Sequence, residues 1–356
     1  MSRVLDLPRF PLTEKYEAWG SSFETDRGFA DQAFLYCEDC THGMLENIIP
    51  DLYGSDYETR THRSEGATQA VKHFSAFIKK HVDLRNISTM LDIGGNDASL
   101  LKQFNLKCMV SIDPNASEEV TAIKSCIENA DLTPYKSDRK IIVCSHTIEH
   151  LVNPDVMLAK VSEVMGPEDI LAIQFPSLEL LVEDCRIDQI HHQHVHYFSE
   201  RSITAFLARH GLAEVTASYD YSHWGALMVI ARKGGGFISG SPIKREGLED
   251  AIDNFRHQVS GVRLPYGCIG LGASLMLPVL LYWLPSIHRV QYIADDDPYK
   301  NGLRYVNFNK PIRNNYDLHG EDVVITAIGS NQAARKLTRK AIDAGARRVI
   351  LPLNTL

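Results

Sequence analysis

The feature that most restricts the fold is a series of short apolar segments alternating with helical patterns between residues 88 and 176. "TMLDIGG", "CMVSIDP", "KIIVCS" and "DILAIQFP" are brief and apolar, whereas "ASLLKQF" and "VMLAKVSEVM" space their apolar residues as a helix does. Such β–α alternation predicts a parallel sheet flanked by helices. "LAEVTASYD" and "ALMVIARKG" predict a terminal antiparallel pair, and "GGGFISGSP" at 234–242 has the composition of a linker. Beyond it the helical "LEDAIDNFRHQV" leads into a second alternation of "YGCIGLG", "VQYIADDD", "DVVITAIG" and "RRVILPL", with the helix "NQAARKLTRKAIDAG" before the last. The expected architecture is α/β in three parts. A small N-terminal unit covers 1–85, a central Rossmann-like domain 86–233 and a C-terminal Rossmann-like domain 234–356. A chain of 356 residues is long enough for this division.

Composition narrows the function classes. Hydrophobic content of 44% and charged content of 23% are those of a soluble globular protein. A net charge of −8 argues against a nucleic-acid partner, because phosphate neutralisation needs a basic face. No run approaches the roughly 18 apolar residues of a membrane span. The longest, "GLGASLMLPVLLYWLP", contains two prolines. "MSRVLDLPRF" lacks the apolar core of a secretion signal, and seven cysteines without framework spacing fit a reducing cytoplasm. A small-molecule substrate is the expected partner.

"LDIGGNDASLL" at 91–101 reads as the first strand, turn and helix start of the central domain. Glycine at a strand end lets the backbone approach a ligand. Asp113, ending the next strand about 20 residues on, suits a pair of ribose hydroxyls. These features fit a nicotinamide dinucleotide or S-adenosylmethionine. The loop lacks GxGxxG spacing and carries polar Asn96 and Asp97 instead. "CSHTIEHLVNPD" then places an acid–His pair after a strand, a form common in methyltransferases. Both favour S-adenosylmethionine. The bland alternative is an α/β domain whose strands simply end in Asp and Gly.

The order of these motifs resembles the S-adenosylmethionine-dependent sugar C-methyltransferases of deoxysugar biosynthesis. "VLDLPRFPLTEKY", "LDIGGNDASLL", "HWGALMVIARK", "YGCIGLGASLML" and "YIADDDPYKNG" are each similar to a family segment, in the family's order. Ala98 stands where glycine is usual. The resemblance implies an N-terminal zinc-binding piece, a methyltransferase domain and a C-terminal Rossmann-like domain. The residues it assigns to the cofactor are Asp92, Gly94, Asn96, Asp113, Pro114, Asn129 and His146. "DQIHHQHVHYFSE" at 188–200 is similar to the family's catalytic segment. His194 falls at the general base, His191 where the family has a tyrosine, and Gln193 where it has a glutamate. His150 falls at a second active-site histidine. A further active-site tyrosine would precede the central domain, and Tyr53 and Tyr57 are both candidates.

The implied chemistry suits imidazoles. A carbon beside a ketone loses its proton because the anion delocalises as an enolate. That anion needs a hydrogen-bond donor at its oxygen, and the carbon must lie in line with a transferable methyl group. His194 would be the base, with His150 and His191 as donors or orienting groups. Neutral Gln193 can orient a ring but supplies no charge to an imidazolium. The expected acceptor is a nucleotide-linked keto-deoxysugar, or a related metabolite if these changes alter specificity. An O- or N-methyltransferase is the nearest rival.

Metal binding competes for the histidines, since His192, His194 and His196 would share one face of a strand. Cys37 and Cys40 resemble half of the family's four-cysteine zinc site. Two thiolates are too few for structural zinc, and the expectation is a lost site unless His42 assists them. In the C-terminal domain Gly267, Gly270 and Gly272 precede Asp295, a GxxGxG turn that keeps a nicotinamide oxidoreductase as a further alternative.

Overall fold

The computed structural model describes residues 1–49, 65–221, 225–329 and 331–353. Its central sheet is built from β1 (Thr89–Ile93), β2 (Cys108–Ile112), β3 (Thr121–Ile123), β4 (Lys140–Ser145), β5 (Ile170–Pro176), β6 (Leu212–Asp220) and β7 (Ala226–Lys233). In space the order is β6-β7-β5-β4-β1-β2-β3. β1 to β5 are parallel, and β7 inserts antiparallel between β5 and β6. The expected terminal antiparallel pair is therefore present at the sheet's edge. The chain leaves β1 in one direction to β2 and returns on its other side as β4. This switch opens a crevice at the carboxyl ends of the strands, where doubly wound sheets bind ligands.

Alternation along each strand explains how both faces are covered. Leu91, Ile93, Val110, Ile142, Leu171 and Ile173 meet the helices Pro154–Val164 and Glu200–Arg209. Their neighbours Met90, Ile141, Val143 and Ile170 meet Val71, Phe74 and Ile78 of the helix Glu65–His81. Each such side chain contributes about 1.5–3 kcal/mol by leaving water. This helix, although it lies within the stretch 1–85 taken as the N-terminal unit, thus packs on the central sheet.

One expected element is much shorter than its sequence pattern. "ASLLKQF" forms only the single 3-10 turn Leu101–Gln103. Asn96 and Ala98 hold φ values of +29° and +58° just upstream, a left-handed conformation that stops a right-handed helix from starting. No regular helix N-terminus therefore faces the first crossover, and the usual seat for a pyrophosphate is missing there.

The N-terminal sheet is antiparallel and contains Ser2–Pro11, Phe29–Cys37, His42–Leu45 and His196–Tyr197, in that order. Its last strand comes from the histidine-rich segment. The C-terminal sheet is parallel, ordered Ile312–Arg313, Ile293–Ala294, Ile269–Leu271, Asp322–Ile325, Arg348–Ile350. One apolar core runs from Leu7, Phe10 and Phe34 through Ile187 and Ile190 to Ile252, Phe255 and Leu277. The histidine segment is consequently buried where the three parts meet. Among the described residues, no helix is long and apolar enough to cross a membrane.

The C-terminal glycine turn uses its acid internally. Asp295 accepts the Ala273 N–H at 2.5 Å and the Asp297 N–H at 2.9 Å, while Lys300 Nζ donates to the Ala273 carbonyl at 2.7 Å. The carboxylate that a dinucleotide ribose would need closes the turn instead.

Candidate active site

The crevice beside β1 collects most of the residues assigned to the cofactor. Asp92 is buried at the end of β1, and Asp113 follows β2 at the crevice rim. Gly94 adopts φ +78°, and a Cβ there would lie 2.0 Å from Thr147 Oγ1, so glycine is required on both counts. Asn96 accepts the Ser117 N–H through its carbonyl at 2.7 Å, which ties the β1 loop to the β2 loop. Pro114 and Asn129 are exposed, on the turns after β2 and β3.

Three carboxylates converge in this loop. Burial, with Asp113 and Asp97 nearby, holds Asp92 well above the ordinary carboxylate range. Burial also raises Asp113, opposed by the N–H groups of Asn115 and Asn96. A group carrying positive charge on sulfur and nitrogen would relieve this repulsion, and Asp113 stands where ribose hydroxyls can be met. The donor set therefore fits S-adenosylmethionine.

The second half of the site lies after β4 and β5. His146 leaves β4 with φ +50°, its backbone N–H donating to the Gln174 carbonyl at 2.8 Å. A single 3-10 turn, Ile148–His150, then presents Glu149 and His150. His150 Nδ1 is 2.7 Å from the Gln193 carbonyl. A carbonyl only accepts, so Nδ1 carries the proton and Nε2 is left as the basic nitrogen. The His150 and His194 rings meet edge-to-face at 4.8 Å, and His191 and His194 lie 4.0 Å apart. The structure thus brings together His150, His191 and His194, three residues distant from the β1 loop in sequence.

Burial disfavours the charged form of all three imidazoles. Burial lowers His150, partly offset by Glu149. It lowers His191 and His194 far below the ordinary histidine value, with neighbouring imidazoles adding to the effect. Gln193 acts through its carbonyl, while its side-chain amide donates to Glu14 Oε2 at 3.5 Å.

The shared strand face expected for His192, His194 and His196 does not form. Only His196–Tyr197 is a strand, because Ile187–Gln189 coils into a 3-10 turn and the backbone turns again at His191–His194. His192 Nε2 bonds the Phe10 carbonyl at 3.0 Å, and its Nδ1 lies 3.3 Å from Gln32 Nε2. His196 Nδ1 pairs with His42 Nε2 at 3.0 Å. Two of the four histidines therefore brace the N-terminal sheet, and two face the site.

Cys37 ends one strand and Cys40 lies in the following turn; both are free thiols. Among the described residues, the only group of three or more His, Cys, Asp or Glu with metal-ligating reach is Glu149, His150 and His194. Tyr53 and Tyr57 lie outside the described residues.

Sequence reading missed what holds the histidine segment. Arg186 donates to both oxygens of Asp188 at 2.8 Å and to the Ile328 carbonyl at 2.6 Å, clamping the segment to the chain just after the strand Asp322–Ile325. Asp188 is fully buried. Asp188→Ala should cost about 3–5 kcal/mol in denaturant unfolding by stranding a buried guanidinium. Replacing both partners with apolar residues of similar volume should recover most of that loss.

Residues 60–217 match the family model described as a methyltransferase domain. Among curated proteins, C-methyltransferase NovU of Streptomyces niveus is 23% identical over 210 residues, covering 55% of this chain and 50% of that protein. The chain thus spans about half the length of the curated relative it matches. Magnesium protoporphyrin IX methyltransferase of Synechocystis PCC 6803, solved with bound SAH, overlaps at TM-score 0.38 and 13% identity, covering 48% of this chain and 84% of that one. The 1,6-didemethyltoxoflavin-N1-methyltransferase of Burkholderia thailandensis overlaps at TM-score 0.37 and 14% identity, covering 56% and 99%. The strand order, rather than these overlaps, carries the fold assignment. Together with the match over 60–217, it establishes that the chain carries a Rossmann-like methyltransferase domain of the S-adenosylmethionine-dependent kind.

Proposed function

We propose that the protein is a C-methyltransferase acting on a carbon next to a ketone, in a nucleotide-linked keto-deoxysugar, with His194 as general base. The observation that carries this is the buried His150–His191–His194 cluster at the carboxyl ends of β4 and β5. When bound, S-adenosylmethionine supplies a methyl group on a positively charged sulfur, an electrophile suited to a carbon nucleophile. Asp92, Gly94, Asn96 and Asp113 would hold it, with Pro114, Asn129 and His146 at the margins of the same crevice.

The protein's own task is to make the nucleophile. A neutral His194 takes the proton as the substrate C–H bond breaks, and the electron pair passes to the ketone oxygen as an enolate. His150 and His191 are within ring contact of His194 and can orient it or donate toward that oxygen. After methyl transfer the proton on His194 returns to solvent, restoring the neutral ring. Burial keeps water from competing for the anion. The likeness to a named C-methyltransferase supports carbon as the acceptor.

Mass spectrometry of ligands retained through purification would identify the acceptor class. With that acceptor, deuterium should enter the carbon next to the ketone in D2O when only S-adenosylhomocysteine is present. An acceptor methylated at oxygen or nitrogen, without carbon exchange, would overturn the proposal.

A further inference from the structure

The site holds a buried carboxylate that the mechanism above does not use. Glu149 is 1% exposed, and neither of its oxygens has a hydrogen-bond partner among the described residues. Oε1 is 3.4 Å from His146 Nδ1 and 4.0 Å from His150 Nε2, and His194 has a ring nitrogen within 4.8 Å of both the carboxylate and His150. Burying a carboxylate without donors is costly, so its retention calls for a positive partner that forms at some stage.

A metal is one such partner, but the spacing disfavours it. Zinc–nitrogen and zinc–oxygen bonds of about 2.0–2.2 Å allow two ligands of one ion to lie at most about 4.3 Å apart, and only when opposed. Glu149 Oε1 and His150 Nε2, at 4.0 Å, would subtend about 130° or more at such an ion, wider than the tetrahedral angle. A proton on the neighbouring imidazoles supplies the positive charge and needs no further ligands.

We infer that Glu149 is a positioning residue whose charge lets the His150–His194 pair accept and hold one proton, the service that neutral Gln193 cannot give. The inference rests on the proposed carbon-acid chemistry. As the C–H bond breaks, the proton passes to the pair, and the resulting imidazolium lies beside the carboxylate. The cluster then has no net charge, whereas without Glu149 it would carry an isolated buried cation. A unit charge this close, at the effective dielectric of a protein interior, shifts an imidazole equilibrium by tenfold or more. Among the described residues, the other titratable groups near the carboxylate or the pair are Cys144, His146, His191 and Tyr197, with Asp92 beyond Cys144.

The test needs no acceptor. In the full-length chain labelled at histidine Cε1, the pair's proton uptake is followed by NMR between pH 4 and 9, with His150→Gln and His194→Gln used for assignment. Glu149→Gln should lower the pair's apparent titration by about one unit or more, and Glu149→Asp should fall between that variant and the native chain. Thermal stability at pH 8 should not fall in Glu149→Gln, since a neutral amide replaces a carboxylate without donors. An unchanged titration, or a native pair that takes up no proton in this range, would overturn the inference. So would one equivalent of added zinc held by the native chain and lost in Glu149→Gln. Absence of carbon exchange with a normal Glu149→Gln shift would instead sink only the parent proposal.

Discussion

Lowering the pH from 7.5 to 5.5 is expected to reduce folding stability, a sensitive lever in a protein whose total stability is small. His42, His150, His191, His192, His194 and His196 all have lowered folded-state values, His42 to about 3, with burial the first cause for each. In the unfolded chain each returns to about 6.5. A depressed imidazole binds its proton only when the chain unfolds, so stability falls as pH drops below the unfolded value and goes on falling until the folded value is reached. A ring suppressed as strongly as His42 costs at most about 1.4 kcal/mol over this window, and the others contribute in the same direction. Asp92 works in the opposite sense. Its raised folded value, like those of Asp113, Glu179 and Glu214, means that protonation relieves the native state as pH falls and offsets part of the loss. Guanidinium unfolding at the two pH values measures the difference. Equal midpoints would mean that these rings are not buried as neutral groups in solution.

The same histidines show how far the sequence can be read. Alternating apolar runs predicted β1, β2, β4 and β5 because a strand covered on both faces leaves a continuous apolar signature. The positions of Asp92, Gly94 and Asp113 at strand ends and a tight turn were legible because that spacing is characteristic of a doubly wound sheet. The histidines resisted assignment because a period-two pattern says which residues alternate only while the strand continues. The backbone turns at His191–His194 broke that period, sending His192 to Phe10 and His196 to His42. Glu149 was hidden by its neighbour: the acid–His pair drew attention as a motif, but nothing local reveals that its carboxylate would be buried without a donor. Asp188 was visible in the family resemblance, yet its partner Arg186 and the carbonyl of Ile328 become neighbours only after the C-terminal domain docks. The short turn after β1 was likewise obscured, because helical spacing in "ASLLKQF" does not register the left-handed backbone at Asn96 and Ala98.

Replacing His194 gives the largest functional effect expected. His194→Ala should slow proton exchange at the acceptor carbon by about 10²–10⁴-fold, the usual contribution of a general base. Alanine also leaves a gap between two rings that contact His194 at 4.0 and 4.8 Å, so a slow variant alone would confound chemistry with packing. His194→Gln fills most of that space, offers hydrogen bonds and accepts no proton. Both variants should bind S-adenosylhomocysteine within about threefold of the native protein, because the β1 and β2 loops are untouched and independent sites behave additively. Added imidazole should restore part of the exchange to the alanine variant and none to the glutamine variant, since only the former has room for a free base. Gln193→Glu, in contrast, returns a carboxylate whose present amide points to Glu14. It should therefore raise exchange only if that side chain turns toward the pair. Full exchange in both His194 variants would transfer the base's role elsewhere in the cluster. His150, with Nε2 as its basic nitrogen, would be the first place to look.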